Sequence, residues 1–197
     1  MNKRLNMQKQ GHSYLDLSVL PELRTSILSS DGVVLFNSEL TSIIWANASG
    51  ARLFGGKGVA DLLRAKLSDD QAMVRQIRNS ATQLKGNKPI TRGFRLKQGA
   101  RSILLQFEIR SIRLPDNDSG ILVTSYADHD EQETEENMAA GAVESLDGFA
   151  DAAAILDDFG MPIASSQDFA DLGPDEDILA GLINELRDED DRLIKRP

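Results

Sequence analysis

Residues 43–55 read Ile43-Ile44-Trp45-Ala46-Asn47-Ala48-Ser49-Gly50-Ala51-Arg52-Leu53-Phe54-Gly55. The stretch opens as an apolar, β-branched and aromatic run, breaks at Asn47 into small residues, and resumes as an amphipathic turn ending in Leu-Phe-Gly. A strand that hands over to a helix leaves backbone groups unpaired, and a side-chain amide at the junction satisfies them by capping the first helical turn. Asn47 is therefore the expected structural junction, with a place in the lining of a ligand pocket as its other role. Upstream, Val33-Val34-Leu35-Phe36 is a second short strand run, separated from Ser42-Ile43-Ile44-Trp45 by Asn37 to Thr41. That spacing is a hairpin signature.

Downstream of the junction, Val59 to Leu67 reads as a short helix. Ser68, followed at the third position by Gln71, resembles a capping box. Asp69 and Asp70 suit the positive end of the helix it would open, and Met73, Ile77, Ala81 and Leu84 share one face. Gly86-Asn87 and Pro89 end it. The period then changes to two. Ile90, Phe94 and Leu96 alternate with polar residues, Gln98-Gly99 turns, Ile103, Leu105, Phe107 and Ile109 alternate again, Pro115 to Asp118 turns, and Ile121 to Tyr126 closes the series. Residues 32–127 are thus expected as two strands, short helices, a longer helix and three strands in antiparallel succession.

Before this unit, residues 15–28 place Leu17, Leu20, Leu23, Ile27 and Leu28 at near-helical spacing, with Pro21 in a first turn. One amphipathic N-terminal helix is expected, burying Leu17, Leu20, Leu23 and Ile27 together with Trp45 at a dimer interface. Residues 128–141, DHDEQETEENMAAG, form an acidic linker or the start of a connecting helix whose apolar positions are Met138, Ala142 and Leu146. Beyond it, Ala153 to Leu156, Asp157 to Gly160 and Met161 to Ala164 read again as strand, turn, strand, and residues 175–186 as a helix. The expected division is 1–30 N-terminal helix, 31–128 first domain, 129–150 linker, and 151–197 a partial second domain.

Composition narrows the chemistry. Cys is absent and only His12 and His129 carry imidazole, which excludes disulfides, cysteine nucleophiles and histidine-held haem or zinc as expectations. No apolar run approaches the roughly 18 residues of a membrane helix, and the first residues lack a secretory h-region, so a cytoplasmic protein is expected. Residues 1–129 carry 18 basic and 11 acidic side chains, whereas residues 130–197 carry 4 and 20. Two differently charged solvated surfaces are the expected meaning, with an acidic partner for the first half or attraction between the two halves as the alternatives. The basic residues are scattered and aromatics are few, which is no nucleic-acid footprint. Gly55-Gly56-Lys57-Gly58 lacks the spacing of a phosphate loop, and Asp158-Phe159-Gly160 stands without the other kinase elements, so it is expected as a hairpin turn. The acidic runs at 175–177 and 188–191 lack the glycine hinge of a calcium loop.

The chain also repeats itself. VVLFNSELTSIIWANASGARLFG corresponds to AAILDDFGMPIASSQDFADLG, about 120 residues later, with Asn47 over Ser166. The stretch IIWANASGARLFG resembles the start of a PAS domain, in which the second strand ends in Asn before a small-residue turn and a helix closing on Leu-Phe-Gly. The resemblance implies an α+β fold, a five-stranded antiparallel sheet with helices on one face, followed by a partial second PAS-like unit. Its wording is most similar to the PAS regions of bacterial sensor histidine kinases, in particular cytosolic cell-cycle kinases of the PleC/DivJ type.

Such a resemblance implies a regulatory, non-catalytic sensory module in two-component phosphorelay signalling, a homodimer with a single-domain response regulator as partner, and no nucleic acid or membrane. No phosphoacceptor helix or ATP-binding box accompanies it, and His129 sits in the acidic linker without an apolar seam. The alternative is a small-ligand sensor controlling another output, such as a cyclic-dinucleotide enzyme or a transcription regulator. Its pocket would lie among Ile44, Leu53, Ile77, Phe94, Leu105 and Val123, residues that would equally fill an empty core. No cofactor and no metal is expected.

Overall fold

The structure, a computed structural model, describes residues 12–68, 71–86, 88–98, 101–126, 134–157, 159–174 and 176–188. The Asp69-Asp70 pair, Asn87, Gly99, the acidic stretch around His129, Asp158, Asp175 and the run 189–191 lie outside the described residues.

The first hairpin pairs β1 (Gly32–Asn37) with β2 (Ile43–Ala46), joining Val34 to Ala46, Leu35 to Trp45 and Phe36 to Ile43. Ile44 is the extra residue of a bulge on β2. The turn is fastened by the Asn37 side-chain oxygen, which accepts the N–H groups of Thr41 (2.8 Å) and Ser42 (3.1 Å). Three further strands complete an antiparallel sheet: β3 (Ile90–Gln98), β4 (Arg101–Arg113) and β5 (Ser119–Tyr126), in the spatial order β2-β1-β5-β4-β3. The period of two in the sequence is the reason. Residues opposite one another share a face, so Val34, Val123 and Ile109 line one side while Leu35, Leu122 and Arg110 line the other.

Helices α3 (Ala48–Leu53), α4 (Val59–Arg64) and α5 (Ala72–Ala81) follow the first hairpin. Phe54, at the end of α3, meets Phe36 edge-on at 5.8 Å, which puts α3 on the Val34 face. The start of α5 differs from the expected capping box at Ser68. The Ser68 carbonyl instead accepts the Gln71 N–H in a turn (3.1 Å), and Gln71 becomes an N-cap with no side-chain bond. The helix still buries the expected face, with Val74 and Ile77 inside and Met73, Ala81 and Leu84 against the core. Arg78 ties α5 back to the hairpin turn through the Leu40 carbonyl (2.8 Å).

The single N-terminal helix expected over 15–28 is corrected to three short pieces. These are α1 (Tyr14–Ser18), α2 (Pro21–Arg24) and a 3-10 turn at Ser26–Leu28. Pro21 has no N–H to continue α1, so it opens a new helix instead. Ser13 and Asp16 form a reciprocal capping box at the start of α1. This segment covers half of the Leu35 face, where the Tyr14 ring stacks on Trp45.

The described part of the acidic segment, from Thr134 on, is a helix. Thr134 caps α6 (Glu135–Leu146), which buries Ala139, Ala142, Ser145 and Leu146. It contacts α3, α4 and the 3-10 turn on one side and a second hairpin on the other. That hairpin is β6 (Ala154–Leu156) and β7 (Pro162–Ser165), followed by α7 (Gln167–Leu172) and α8 (Glu176–Asp188).

Candidate functional site

Asn47, at the strand-to-helix junction, makes more hydrogen bonds than any other side chain given among the described residues. Asn47 is buried, and its side-chain oxygen accepts the N–H groups of Val33 (3.0 Å) and Gly50 (2.8 Å). Its amide nitrogen faces the carbonyls of Ser26 (2.8 Å), Ser29 (3.1 Å) and Asp31 (2.8 Å). One amide thus joins the end of β2, the start of β1, the first turn of α3 and the segment arriving from the N-terminus. Immediately beside it, Gly50 lies where α3 crosses β1. A Cβ there would collide with the Val33 carbonyl oxygen and sit 2.9 Å from Val34 Cγ2.

A second polar chain runs through the same core. The Ala48 N–H, unpaired at the start of α3, donates to Ser145 Oγ of α6 (2.8 Å), and Ser145 in turn donates to Gly141 O. Tyr14 donates its hydroxyl to Ala46 O (2.8 Å) and stacks on Phe149 at 4.0 Å. The indole N–H of Trp45 donates to Ser18 Oγ (2.9 Å), which is bonded to Tyr14 O. Burial pushes the Tyr14 phenol well above its ordinary 10.0, against smaller opposing contributions from Ser145 and Ser18. The folded state therefore holds the neutral phenol more tightly than the unfolded chain does. Its contribution is fully present below pH 10 and is lost as pH rises above that value, at up to about 1.4 kcal/mol per pH unit. Urea melts between pH 8 and 11 should show this slope, and Tyr14→Phe should make it shallower, leaving the smaller part due to the exposed Tyr126, which desolvation and Glu108 also raise. An exposed Arg52–Glu144 ion pair (2.6 Å) also links α3 to α6, but adds only about 0–1 kcal/mol in water.

The residues expected at a dimer interface are placed differently. Leu17, Leu23 and Trp45 are fully buried within the chain, and Leu20 and Ile27 pack against the same core. The N-terminal segment has a core slot of its own on the outer sheet face, so Leu17, Leu23 and Trp45 are corrected from an intermolecular to an intramolecular role, while Leu20 and Ile27 remain half-buried beside it. The rest of that face is open. It carries Leu104 and Tyr126, which are 58% and 44% exposed, and Tyr126 bonds Glu108.

Of the six residues proposed for a pocket, Ile77, Phe94 and Val123 are buried in the core. Ile44, Leu53 and Leu105 pack against it, partly buried. Phe94 and Phe107 meet at 4.8 Å across β3 and β4. Two clefts stand out among the described residues. One, of about 110 Å³, is lined by Phe54, Gly56, Leu62 and Leu67, and a wider one by Glu22, Arg110, Arg113 and Asn117. Neither is lined by any of the six. Among the described residues no three His, Asp or Glu side chains converge as a metal site. His12 Nε2 lies 2.9 Å from Asp116 Oδ2, joining the N-terminal segment to the β4–β5 turn.

Tyr14, Ser18, Ser145 and Phe149 carried no signal in the sequence. Their partners stand tens of residues away, and a serine inside an amphipathic helix gives no hint that it caps another helix.

A five-stranded antiparallel sheet with α3 to α5 packed on one face, entered through an Asn-capped strand-to-helix junction, is the PAS fold. The chain is 31% identical over 186 residues to the cell-division control histidine kinase PdhS of Brucella anthropi, covering 94% of this chain and 17% of that protein. The corresponding kinase of Brucella suis is 29% identical over the same length. The chain's relatives are thus cell-cycle histidine kinases, and it spans about a sixth of their length. Among solved structures it is similar to the PAS domain of Bordetella pertussis BvgS, at 14% identity and a TM-score of 0.36 over 53% of this chain and 84% of that one. An RNA-binding light-oxygen-voltage receptor matches at 16% identity and a TM-score of 0.39, over 68% of this chain and 39% of that one. No protein-family model matches the chain.

Proposed function

We propose that the chain is a non-catalytic sensory and regulatory module of a cell-cycle histidine kinase. The observation that carries this reading is the 31% identity to a cell-division control histidine kinase across 94% of the chain. Residues 31–128 would be the PAS unit, with the N-terminal segment before it, the linker and α6 after it, and a partial second unit over 151–197.

The packing supports a route for a signal. Helix α6 holds the start of α3 through Ser145 and also contacts β6 and β7, so a shift of α3 at the Asn47 junction is transmitted to the second unit. A single-domain response regulator is the partner this reading implies, in a cytoplasmic setting. No helix among the described residues is long and apolar enough to cross a membrane.

Dimerisation belongs to the same proposal, through the open half of the outer sheet face. Leu104 and Tyr126 present apolar surface there that the N-terminal segment leaves uncovered. Light scattering at micromolar concentration should give a dimer, and Leu104→Asp should weaken its association at least about tenfold. A monomer at all concentrations would remove dimerisation from the proposal.

A further inference from the structure

The wider of the two clefts lies where the N-terminal segment meets the β4–β5 end of the sheet. It has a volume of about 530 Å³ and runs between Glu22 of α2, Arg110 and Arg113 of β4, and Asn117 in the turn before β5. Small-molecule sites are typically about 300–1,000 Å³. The walls are almost wholly polar, and only Ile112, 6% exposed, gives an apolar floor. None of the six core residues expected to line a pocket takes part.

The arginines of this cleft are short of partners. Arg110 is half-buried, and its Nε is closed off from solvent without a hydrogen bond. The Glu108 carboxylate is 4.0 Å from it, beyond hydrogen-bond reach. Buried donors are nearly always paired, so this one marks a place for an acceptor. Arg113 and the hydroxyls of Ser111 and Ser119, which line the same cleft, have no hydrogen-bond partner among the described residues. Guanidinium forks match the oxygens of carboxylates and phosphates. Two forks and two hydroxyls offer more donors than the two oxygens of one carboxylate need, and they suit the three oxygens and double charge of a phosphate monoester. The Glu22 and Asp118 carboxylates lie in the same cleft and would repel a bare anion, but they accept hydroxyl and amino groups. Asp118 has only Oδ1 engaged, by the Ser119 N–H (2.8 Å).

We propose that this cleft binds a phosphate monoester of a small hydroxylated molecule, a sugar phosphate or a nucleotide. Arg110 and Arg113 take the phosphate, and Glu22 and Asp118 take hydroxyl or amino groups at the other end. The surplus of 18 basic over 11 acidic side chains in residues 1–129 favours the approach of an anion. Glu22 belongs to α2 and the arginines to β4, so the ligand bridges the N-terminal segment to the sheet, where His12 and Asp116 already join the two (2.9 Å). The proposal is independent of the kinase reading.

Isothermal titration calorimetry of the 197-residue chain tests it with ribose-5-phosphate, AMP, inorganic phosphate, adenosine and succinate. At least one of the two esters should bind with a Kd below about 1 mM, and which of them does so separates a sugar phosphate from a nucleotide. Inorganic phosphate should bind at least about tenfold more weakly, and adenosine and succinate not measurably. Arg110→Gln and Arg113→Gln should each weaken the ester at least about tenfold. Arg113 is exposed, so Arg113→Gln should keep the thermal melt of the parent chain. Glu22→Gln should weaken the ester but not inorganic phosphate, a split that a mere change of net charge does not produce. No binding of either ester, equal affinity for inorganic phosphate or adenosine, tighter binding of succinate, or unchanged ester affinity in either arginine variant would each overturn the proposal.

Discussion

Replacing Asn47 with alanine lowers the unfolding free energy by about 3–5 kcal/mol in urea titrations. The side chain is buried and alone satisfies two backbone N–H groups and faces three carbonyls. Alanine leaves these groups without their partner in a space closed to water, and each stranded donor costs about 1–3 kcal/mol. A whole domain of this size is stable by only about 5–15 kcal/mol, so the loss threatens folding itself. The equivalent cap in the second repeat provides the comparison. Ser166 accepts two N–H groups but is only partly buried, and Ser166→Ala should cost about 1 kcal/mol. Equal losses at the two positions would show that Asn47 is an ordinary cap and not the joint of the fold.

Gly50→Ala should be destabilising by about 3 kcal/mol, although alanine is the better helix former. The reason is contact and not conformation. The added methyl meets the Val33 carbonyl and Val34 Cγ2 at 2.9 Å, and neither moves without opening β1. Gly181 in α8 is the control, since a Cβ there meets nothing within 4 Å. Gly181→Ala should therefore stabilise by up to about 1 kcal/mol. Thermal melts of the two variants read out opposite signs. A stabilised Gly50→Ala protein would mean that α3 does not lie on β1 as described.

Much of the fold was legible because it is local. The alternation along Phe107, Glu108, Ile109 and Arg110 marks a half-buried strand wherever it stands, and Asn47 announces its cap through the helix that follows it. What the sequence withheld is which surfaces meet. Leu17, Leu23 and Trp45 declare only that they must be buried, and the same apolar pattern serves a dimer interface or an intramolecular slot. The slot depends on Tyr14 reaching Ala46 and Phe149, contacts with no local signature. Pro21 was legible as a residue of a first turn but not as the break between two helices, because that depends on how the segment bends over the sheet. Ser68 offered a capping pattern, yet its carbonyl closed a turn before the helix began. The pocket residues illustrate the same limit, since Ile77, Phe94 and Val123 read identically as lining or as filling.

The claim that the chain is a regulatory module of a cell-cycle histidine kinase is tested most directly by a chimera. This chain would replace the matched 186-residue segment of the Brucella anthropi kinase, and autophosphorylation would be measured beside the intact enzyme and a deletion of the segment. The account predicts a rate within about threefold of the intact kinase, shifted to that of the deletion when the chimera carries Asn47→Ala. A chimera indistinguishable from the deletion, with the grafted segment folded by circular dichroism, would contradict it.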